Sequence, residues 1–430
     1  MRKTPILIML IAALAVQPCL AQNQADGTAA GKTPGENLTI KVAVLGPGDE
    51  LYFWWGHIAL IIDDAVNGQS HFYDYGIFSF TQEHFFLNFA RGRLMYSTGV
   101  SPSIYNFTAY MSTNRDITVY TLNLPPEKRE LVRDIAEHDV LPENRDYLYH
   151  HFKDNCATPI IRIIDAATDG QFKERFSNEA GRFTLRQHVR RHTWFSPFSD
   201  WLLNFLMGQG IDLPVTVWDE MFLPSEVARN IVSFEYADSQ GVMQPLVLQR
   251  EEVFMSEGRH EVLEAPRSQW PRVFAFGLAV SVFLLALFFV KAKKAIGRVV
   301  LGICNSLLGL VFGGAGLTLF FMSFFTEHDY TYDNANLFFT NPLLLALIPL
   351  GITYATADND DRRRRPETCI MVLWLLVLLG VFASMMLKLT PWLWQDNLAQ
   401  QLLMLPIALV LSLGHGGLKK ALNRTRQSKS

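Results

Sequence analysis

The amino-acid sequence predicts an α+β soluble domain followed by an α-helical membrane domain of about five spans. The chain has 430 residues, 49% of them hydrophobic, and its mean hydropathy is positive, which indicates that part of the chain lies in lipid. After residue 266, long uncharged segments replace a mixed sequence with helix, strand and turn signals. The net charge of −3, without basic stretches interleaved with aromatic residues, gives no support for a nucleic-acid partner.

The N-terminus has the pattern of a secretory signal peptide. Two basic residues follow Met1, an apolar core runs from Ile6 to Val16, and small residues surround a cleavage position after Ala21. This core is too short to span a bilayer. We therefore expect residues 1–21 to form a signal peptide, residues 22–37, which are rich in Gly, Ala, Thr and Pro, to form a flexible leader, and residues 38–265 to form an exported domain.

The hydrophobic pattern of residues 38–265 predicts a sheet flanked by helices. Apolar or alternating runs between turn signals predict strands at 39–45, 56–62, 71–76, 93–100 and 116–124. The spacing of apolar residues predicts helices at 82–90, 126–140 and 159–170. A further segment, 194–207, carries bulky aromatic residues at helical spacing, which fits either a core helix or a helix that contacts lipid headgroups.

Cys156 lies immediately before the third of these helices. Thr158 can cap that helix and Pro159 can occupy its first position. The partial positive charge of a helix N-terminus favours a thiolate, which is the nucleophilic form of cysteine. Because Cys156 is the only cysteine of the exported domain, no disulfide is possible there, and the side chain is either a reactive thiol or a buried structural one.

A base for this thiol can come from His57, which opens the second predicted strand. The Asn67-Gly68 pair predicts a hairpin to the third strand. A strict two-residue turn pairs Ile61 with Asp74 and puts Asp74 on the face of His57. One more loop residue brings His71 to that face instead. Asp74 and His71 are therefore both candidates for the group that orients His57.

No metal or other cofactor is predicted. His150 and His151 are adjacent and Asp154 follows them, but neighbouring histidine side chains diverge. No set of ligands with the spacing of a metal site accompanies them.

Uncharged segments after residue 272 predict the membrane spans. Four of them approach or exceed the roughly 20 residues needed to cross a bilayer, at 273–290, 299–325, 337–357 and 368–387, and a weaker fifth covers 398–418. Basic clusters follow the first, third and fifth segments, so all of them lie on one side, which we assign to the cytoplasm together with a basic tail at 419–430. The exported domain and the loops 326–336 and 388–397 then lie outside.

The outer loop 327–336 is dense in polar residues, among them His328, Asn334 and Asn336. Such a loop is either solvated or helps to hold a polar headgroup or peptide beneath the exported domain.

The predicted elements supply a nucleophile, a base and an orienting group: a cysteine at a helix start, a histidine on a strand and a polar residue on the next strand. The histidine precedes the cysteine in the chain, whereas papain-like enzymes have the cysteine first. This order resembles the circularly permuted papain-like fold, which includes lecithin:retinol acyltransferase and the phospholipid acyltransferases related to it.

Several motifs in combination resemble the bacterial lipoprotein N-acyltransferase Lnb family over about residues 39–418. They are Trp55-Gly56-His57, Tyr73-Asp74-Tyr75-Gly76-Ile77-Phe78, Asn155-Cys156, Phe222-Leu223-Pro224 and the segment from His328 through Asn336 to Pro342. The resemblance implies a periplasmic thiol domain with a permuted papain-like fold, joined to a multi-span domain in the bacterial inner membrane. The family has Asn or Asp at the place of Asp74, which favours Asp74 over His71 as the orienting group.

The resemblance also implies an activity, the transfer of an acyl group to the α-amino group of the modified N-terminal cysteine of lipoproteins. Cys156 would attack a glycerolipid ester, His57 would take the thiol proton, and the lipoprotein amine would resolve the thioester. The implied partners are a membrane glycerolipid and a lipoprotein, without a cofactor. The motif residues expected to contact substrate are Asn155, Tyr73, Tyr75, His328, Asn334 and Asn336.

Two other interpretations remain open. The same thiol fold cleaves cell-wall peptides in NlpC-type enzymes, so a membrane-anchored amidase or endopeptidase is the main alternative, although five spans exceed what a tether needs. The other alternative is a non-catalytic sensor that uses the domain for binding.

Overall fold

The computed structural model describes residues 35–79, 81, 83–291, 294–390 and 393–416. The predicted signal peptide, the predicted cytoplasmic tail and nearly all of the predicted leader lie outside the described residues. Within these residues an α+β domain precedes five apolar segments long enough to cross a membrane, as the sequence predicts.

An antiparallel sheet organises the soluble domain. The strands are β1 (Leu38–Leu45), β2 (His57–Asp64), β3 (Gln69–Ile77), β4 (Leu94–Pro102), β5 (Ile117–Leu122), β6 (Asp146–Tyr149), β7 (Glu235–Ala237), β8 (Met243–Pro245) and β9 (Val247–Phe254). Seven of them form one sheet in the order β6-β4-β3-β2-β1-β5-β9, and β7 pairs with β8. All five predicted strands are present. The sequence pattern misses the edge strand β9 because its residues 248–252 are exposed and mostly polar, without alternation.

Helices cover both faces of this sheet. They are α1 (Phe85–Arg91), α2 (Ser103–Ser112), α3 (Pro126–Asp139), α4 (Ala157–Ala167), α5 (Gln171–Ser177), α6 (Leu185–Thr193), α7 (Pro197–Leu206), α8 (Val217–Glu220) and α9 (Pro224–Ser233). The larger apolar core lies between the sheet and α3, α4 and α9, and it includes four isoleucines of α4. A smaller core lies on the other face, where Phe107 and Tyr110 of α2 pack on β1, β2 and β3. The two cores fix α2 and α4 on opposite sides of β2.

The hairpin between β2 and β3 has a four-residue loop instead of the two-residue turn predicted from Asn67-Gly68. Asp64 pairs with Gln69, so Asp74 faces Ala59 instead of the predicted Ile61. The Asp64 carboxylate accepts hydrogen bonds from the backbone N–H groups of residues 66 and 67, which closes the longer loop. Because the loop gains two residues and not one, the parity is unchanged and Asp74 lies on the face of His57.

The membrane domain consists of α10 (Trp270–Lys291), α11 (Ala295–Phe325), α12 (Leu347–Thr356), α13 (Asp360–Leu387) and α14 (Leu398–Gly416). The predicted third span, 337–357, is not one helix, since 3₁₀ turns at Ala335–Phe338 and Pro342–Ala346 precede α12. Pro342 lacks the N–H that a continuous helix would need at this position. The Asn341 side chain accepts a hydrogen bond from Leu343 N–H and so caps a new helical turn.

The C-terminal end of α7 joins the two domains. The last carbonyl groups of a helix lack partners within it. Here, side-chain amides from the outer loops of the membrane domain donate to carbonyls at this helix end: Asn334 Nδ2 to Phe205 O (3.0 Å), Asn336 Nδ2 to Phe205 O (2.9 Å) and Gln395 Nε2 to Met207 O (2.9 Å). Trp201 of the same helix packs against the apolar core of the membrane domain. The aromatic segment 194–207 therefore forms part of the interface between the soluble domain and the membrane domain.

Candidate functional site

Cys156 occupies the N-cap position of α4, so the helix begins two residues before the predicted Pro159. The side chain of Asn155 explains the earlier start, since its oxygen accepts a hydrogen bond from Ala157 N–H (2.9 Å). The Thr158 hydroxyl, predicted to cap the helix, lies inside the first turn and accepts from Asn155 N–H (3.0 Å). The thiol thus lies at the positive end of the helix dipole.

Asn155 is buried, and its side-chain amide makes hydrogen bonds to backbone groups of the protein. Its Nδ2 donates to His151 O (2.8 Å) and to Phe222 O (2.9 Å). The Phe222-Leu223-Pro224 motif therefore supplies a backbone carbonyl that fixes the turn before Cys156. The sequence predicts Asn155 as a substrate contact, whereas in the structure its side chain fixes the turn that carries Cys156.

His57 begins β2, and Asp74 lies beside it on β3. His57 Nε2 and Asp74 Oδ1 are 2.8 Å apart, and the two side chains are only 14% and 21% exposed. This hydrogen bond occupies Nε2 and leaves Nδ1 for the proton of a thiol. His71 pairs with Ile62 and lies on the opposite face of the sheet, so the structure does not bring it to His57.

Gly76 marks the point where the His57 and Cys156 side chains approach each other. His57 comes from the sheet face covered by α2, and Cys156 comes from the face covered by α4. A Cβ at Gly76 would lie 3.0 Å from His57 Cε1, 3.4 Å from Cys156 Cβ and 3.7 Å from Asp74 Oδ1. The three side chains therefore surround one small space that only a glycine leaves open.

The pKa of His57 is raised well above its ordinary value. Burial alone would lower this pKa, because it disfavours the imidazolium, but the electrostatic influence of Tyr110, Asp74 and Cys156 and the hydrogen bond to Asp74 outweigh it. Burial raises the pKa of Tyr110 itself, so its phenol is neutral near pH 7. A histidine hydrogen-bonded to Asp74 beside a thiol has the arrangement of a general base next to a nucleophile.

Asp74→Asn is expected to shift the pH dependence of the site. Asparagine can still accept the Nε2 proton, so His57 keeps its orientation, but one charge that raises the pKa of His57 is lost. The pKa should fall, and the imidazolium that protonates a leaving group should disappear at a lower pH. The alkaline limb of the pH–rate profile should therefore move to lower pH, with a rate loss of about tenfold, or about 1.4 kcal/mol, near neutrality. An unshifted alkaline limb would contradict this role of Asp74.

Gly76→Ala is expected to lower the rate of acylation of the Cys156 thiol about 100-fold, because the added methyl group displaces His57 from Cys156. Gly99→Ala on the neighbouring strand is the matched control, since its Cβ would meet only the side chain of Ile77, with the movable Cδ1 as the nearest atom. Rate constants and melting temperatures of both variants test the prediction. Equal rate losses in the two variants would contradict the prediction that a side chain at position 76 separates His57 from Cys156.

A cluster of tyrosines surrounds the thiol and was not predicted from the sequence. Tyr96 of β4 pairs with Tyr147 of β6, and the Tyr96 and Tyr149 rings stack with centroids 4.1 Å apart. Burial, and then the negative charge of Cys156, raises the pKa of Tyr96 to about 12. The same two causes raise the pKa of Tyr147 and contribute to that of Tyr149. The alternation Tyr147-Leu148-Tyr149 before the cysteine is the signal that could have indicated this cluster.

The other predicted substrate contacts lie in the protein interior. Tyr73 and Tyr75 belong to the larger core, and the Tyr75 hydroxyl donates to Asp139 Oδ2 (3.1 Å). His328 is buried, and its Nε2 donates to Phe89 O (2.9 Å). Asn334 and Asn336 hold the end of α7, as described above. The structure therefore does not bring these five residues together at the thiol.

The outer loop 326–336 nevertheless contacts the turn that carries the nucleophile. Asp329 Oδ1 lies 2.7 Å from His150 Nε2, and its other carboxylate oxygen pairs with Lys153. These hydrogen bonds hold the pKa of Asp329 well below its ordinary value. On the other side of the loop, Glu327 pairs with Arg93, the residue before β4. The loop is an interface element, not a solvated connection, and it fixes the membrane domain beside residues 150–153.

Comparisons with protein families agree with this arrangement. The family model of the Lnb N-terminal periplasmic domain matches residues 27–191, and that of the Lnb transmembrane domain matches residues 266–413. No curated protein and no solved structure matches the chain significantly. The first matched range contains His57, Asp74 and Cys156, and the second contains the outer loop that contacts their domain. The chain therefore belongs to the Lnb family of lipoprotein-modifying membrane enzymes.

Proposed function

We propose that the protein is a lipoprotein N-acyltransferase that moves an acyl chain from a glycerolipid, through a thioester on Cys156, to the α-amino group of the lipidated N-terminal cysteine of a lipoprotein. The observation that carries this proposal is the His57–Asp74 pair beside Cys156, in a domain seated on the outer loops of a multi-span domain. A thiol nucleophile next to a membrane is suited to an ester substrate that does not leave the bilayer.

In the first half-reaction, Cys156 Sγ attacks the ester carbonyl carbon as its proton passes to His57 Nδ1. The tetrahedral intermediate collapses, the bond to the glyceryl oxygen breaks, and His57 returns the proton to that oxygen. The products are a lysoglycerolipid and an acyl thioester on Cys156. The backbone N–H of Cys156, at the helix start, is suited to stabilise the oxyanion.

In the second half-reaction, the α-amino group of the lipoprotein attacks the thioester carbon. His57 takes a proton from the amine, the C–S bond breaks, and the thiol is restored with an amide on the acceptor. Water competes with the amine, so a site covered by lipid and by the membrane domain favours transfer over hydrolysis. The donor glyceryl ester can belong to a separate phospholipid or to the lipoprotein itself, since both present the same bond.

Reconstitution of the purified full-length protein in proteoliposomes tests the proposal. One arm contains phospholipid with labelled acyl chains, and the other contains a diacylglyceryl lipopeptide with labelled chains, with the second component unlabelled in each case. We expect mass spectrometry to find the label as an amide on the α-amino group in one arm, with the matching lyso product. Release of free fatty acid alone in both arms would contradict the proposal, and cleavage of added muropeptides would favour the amidase alternative.

A further inference from the structure

Two buried ring nitrogens lie in neighbouring side chains, in the segments that carry His57 and Cys156. Trp55 precedes His57 by two residues, and His151 precedes Cys156 by five. The two rings are in edge-to-face contact with centroids 4.9 Å apart. Trp55 Nε1 and His151 Nε2 are both buried and have no hydrogen-bond partner among the described residues. A buried donor without an acceptor costs about 1–3 kcal/mol, so two such neighbours call for an explanation.

The hydrogen-bond network favours one tautomer of His151. Its Nδ1 lies 3.3 Å from the Tyr149 hydroxyl, and this phenol has no other acceptor in the part of the chain that the structure describes. We therefore assign Tyr149 as the donor to Nδ1, since this satisfies the phenol proton, and the ring proton of His151 is then on Nε2. Burial, and then the neighbouring His150, lowers the pKa of His151 to about 4, so the ring is neutral near pH 7. His151 Nε2–H is thus a donor, like the indole N–H of Trp55.

The position of this pair relates it to the thiol. Tyr149, which is bonded to His151, belongs to the tyrosine cluster that experiences the charge of Cys156. The backbone carbonyl of His151 accepts from Asn155, the residue next to the nucleophile. Trp55 is joined through a single glycine to His57. The series Tyr149–His151–Trp55 therefore runs from the surroundings of the thiol to the segment that carries the base.

We propose that Trp55 Nε1–H and His151 Nε2–H form the side-chain part of the oxyanion site, donating to the ester oxygen as Cys156 attacks. This inference rests on the proposed thiol mechanism. When the C–S bond forms, the carbonyl π electrons move to oxygen, and the two donors stabilise the resulting negative charge without changing their own protonation. A carbonyl oxygen is the acceptor that both N–H groups lack, and the unpaired donors are poised before the substrate arrives.

Trp55→Phe in the full-length protein tests the proposal, because it removes the N–H and keeps an aromatic ring. Two reactions at Cys156 are compared: acylation by a short-chain p-nitrophenyl ester, which passes through an oxyanion, and alkylation by iodoacetamide, which does not. We expect acylation to slow about 100-fold, with alkylation changed by less than about twofold. Trp54→Phe is the matched control, since the Trp54 indole already donates to Asp49 O (3.0 Å), and it should leave both rates unchanged.

His151→Phe provides an independent second variant, and His151→Gln should restore part of the acylation rate because its amide can donate. Both rates are followed on the Cys156 peptide by mass spectrometry. Wild-type acylation rates in Trp55→Phe, or equal losses of acylation and alkylation, would overturn the proposed donors while leaving the thiol mechanism intact. A wild-type protein that is alkylated but never acylated at Cys156 would overturn the proposed function and this inference together.

Discussion

Cys156→Ala is expected to lower acyl transfer by at least about 10⁴-fold, which leaves no measurable product in the proteoliposome assay. The reason is that the thioester can form only on this sulfur, and neither His57 nor Asp74 can replace it as a nucleophile in the geometry described. The measurement is mass spectrometry of the acceptor α-amino group, combined with detection of the acyl-thioester on the Cys156 peptide of the wild-type protein. Both signals should be lost in the variant.

Cys304→Ala is the matched control for this variant. Cys304 is a half-buried cysteine in α11, packed beside the core of the membrane domain. Its removal should leave transfer within about twofold of the wild type, which separates loss of the nucleophile from loss of any thiol. Transfer that survives in Cys156→Ala would show that the reaction proceeds by direct attack of the amine on the ester, without a covalent enzyme intermediate.

Local patterns predict the fold well where burial is uniform along an element. The continuous apolar run of β2 and the four isoleucines of α4 identify the central strand and the helix that begins after Cys156, because β2 is buried on both faces and the isoleucines of α4 pack into one core. The prediction fails where neighbours in space decide. The strand β9 is polar because it lies at a sheet edge, and the third span is interrupted because Asn341 and Pro342 start a new turn. No local period signals either feature.

The candidate site divides in the same way. His57, Asp74 and Cys156 can be recognised in the sequence. The parity of the hairpin places the His57 and Asp74 side chains on one face of the sheet, and the helix start places Cys156 at a helix N-terminus. Gly76 is part of a recognised motif, but its function depends on two elements that approach from opposite faces of the sheet. His328 and Asn334 look like ligands because they are polar and clustered. Only the fold shows that their partners are backbone carbonyls of the soluble domain.

The helix α6 is the strongest case in which composition misleads. Its sequence, Leu185–Thr193, has three arginines and two histidines, a pattern typical of a solvated helix, yet all of these side chains are buried. Arg186 is 0% exposed and donates five hydrogen bonds: to Asp212 Oδ1 (2.8 Å), Asn204 O (2.9 Å), Asn204 Oδ1 (2.7 Å), Met207 O (2.9 Å) and Gly208 O (2.7 Å). The carbonyl groups at the end of α7 that Arg186 contacts lie in the same turns that accept hydrogen bonds from the outer loops of the membrane domain.

Arg186→Met is therefore expected to destabilise the protein by about 3–5 kcal/mol, because it leaves the buried Asp212 carboxylate and several carbonyl groups without their donor. The melting temperature in detergent should fall by roughly 10 °C. Arg175→Met, at an exposed pair with Glu179, is the control and should change stability by less than about 0.5 kcal/mol. Equal melting temperatures for the two variants would contradict a structural role for Arg186.

The pH dependence of this deficit distinguishes a lost charge partner from a simple packing defect. Burial raises the pKa of Asp212 above its ordinary value, although Arg186 opposes the shift. Without Arg186 the pKa must rise further, so the folded variant binds a proton more tightly than the unfolded chain does. A carboxyl group of this kind costs stability above its unfolded pKa, and the cost diminishes as pH falls through the folded pKa. The deficit of Arg186→Met should therefore be smaller at pH 5 than at pH 8, whereas a cavity left by a lost side chain would give the same deficit at both.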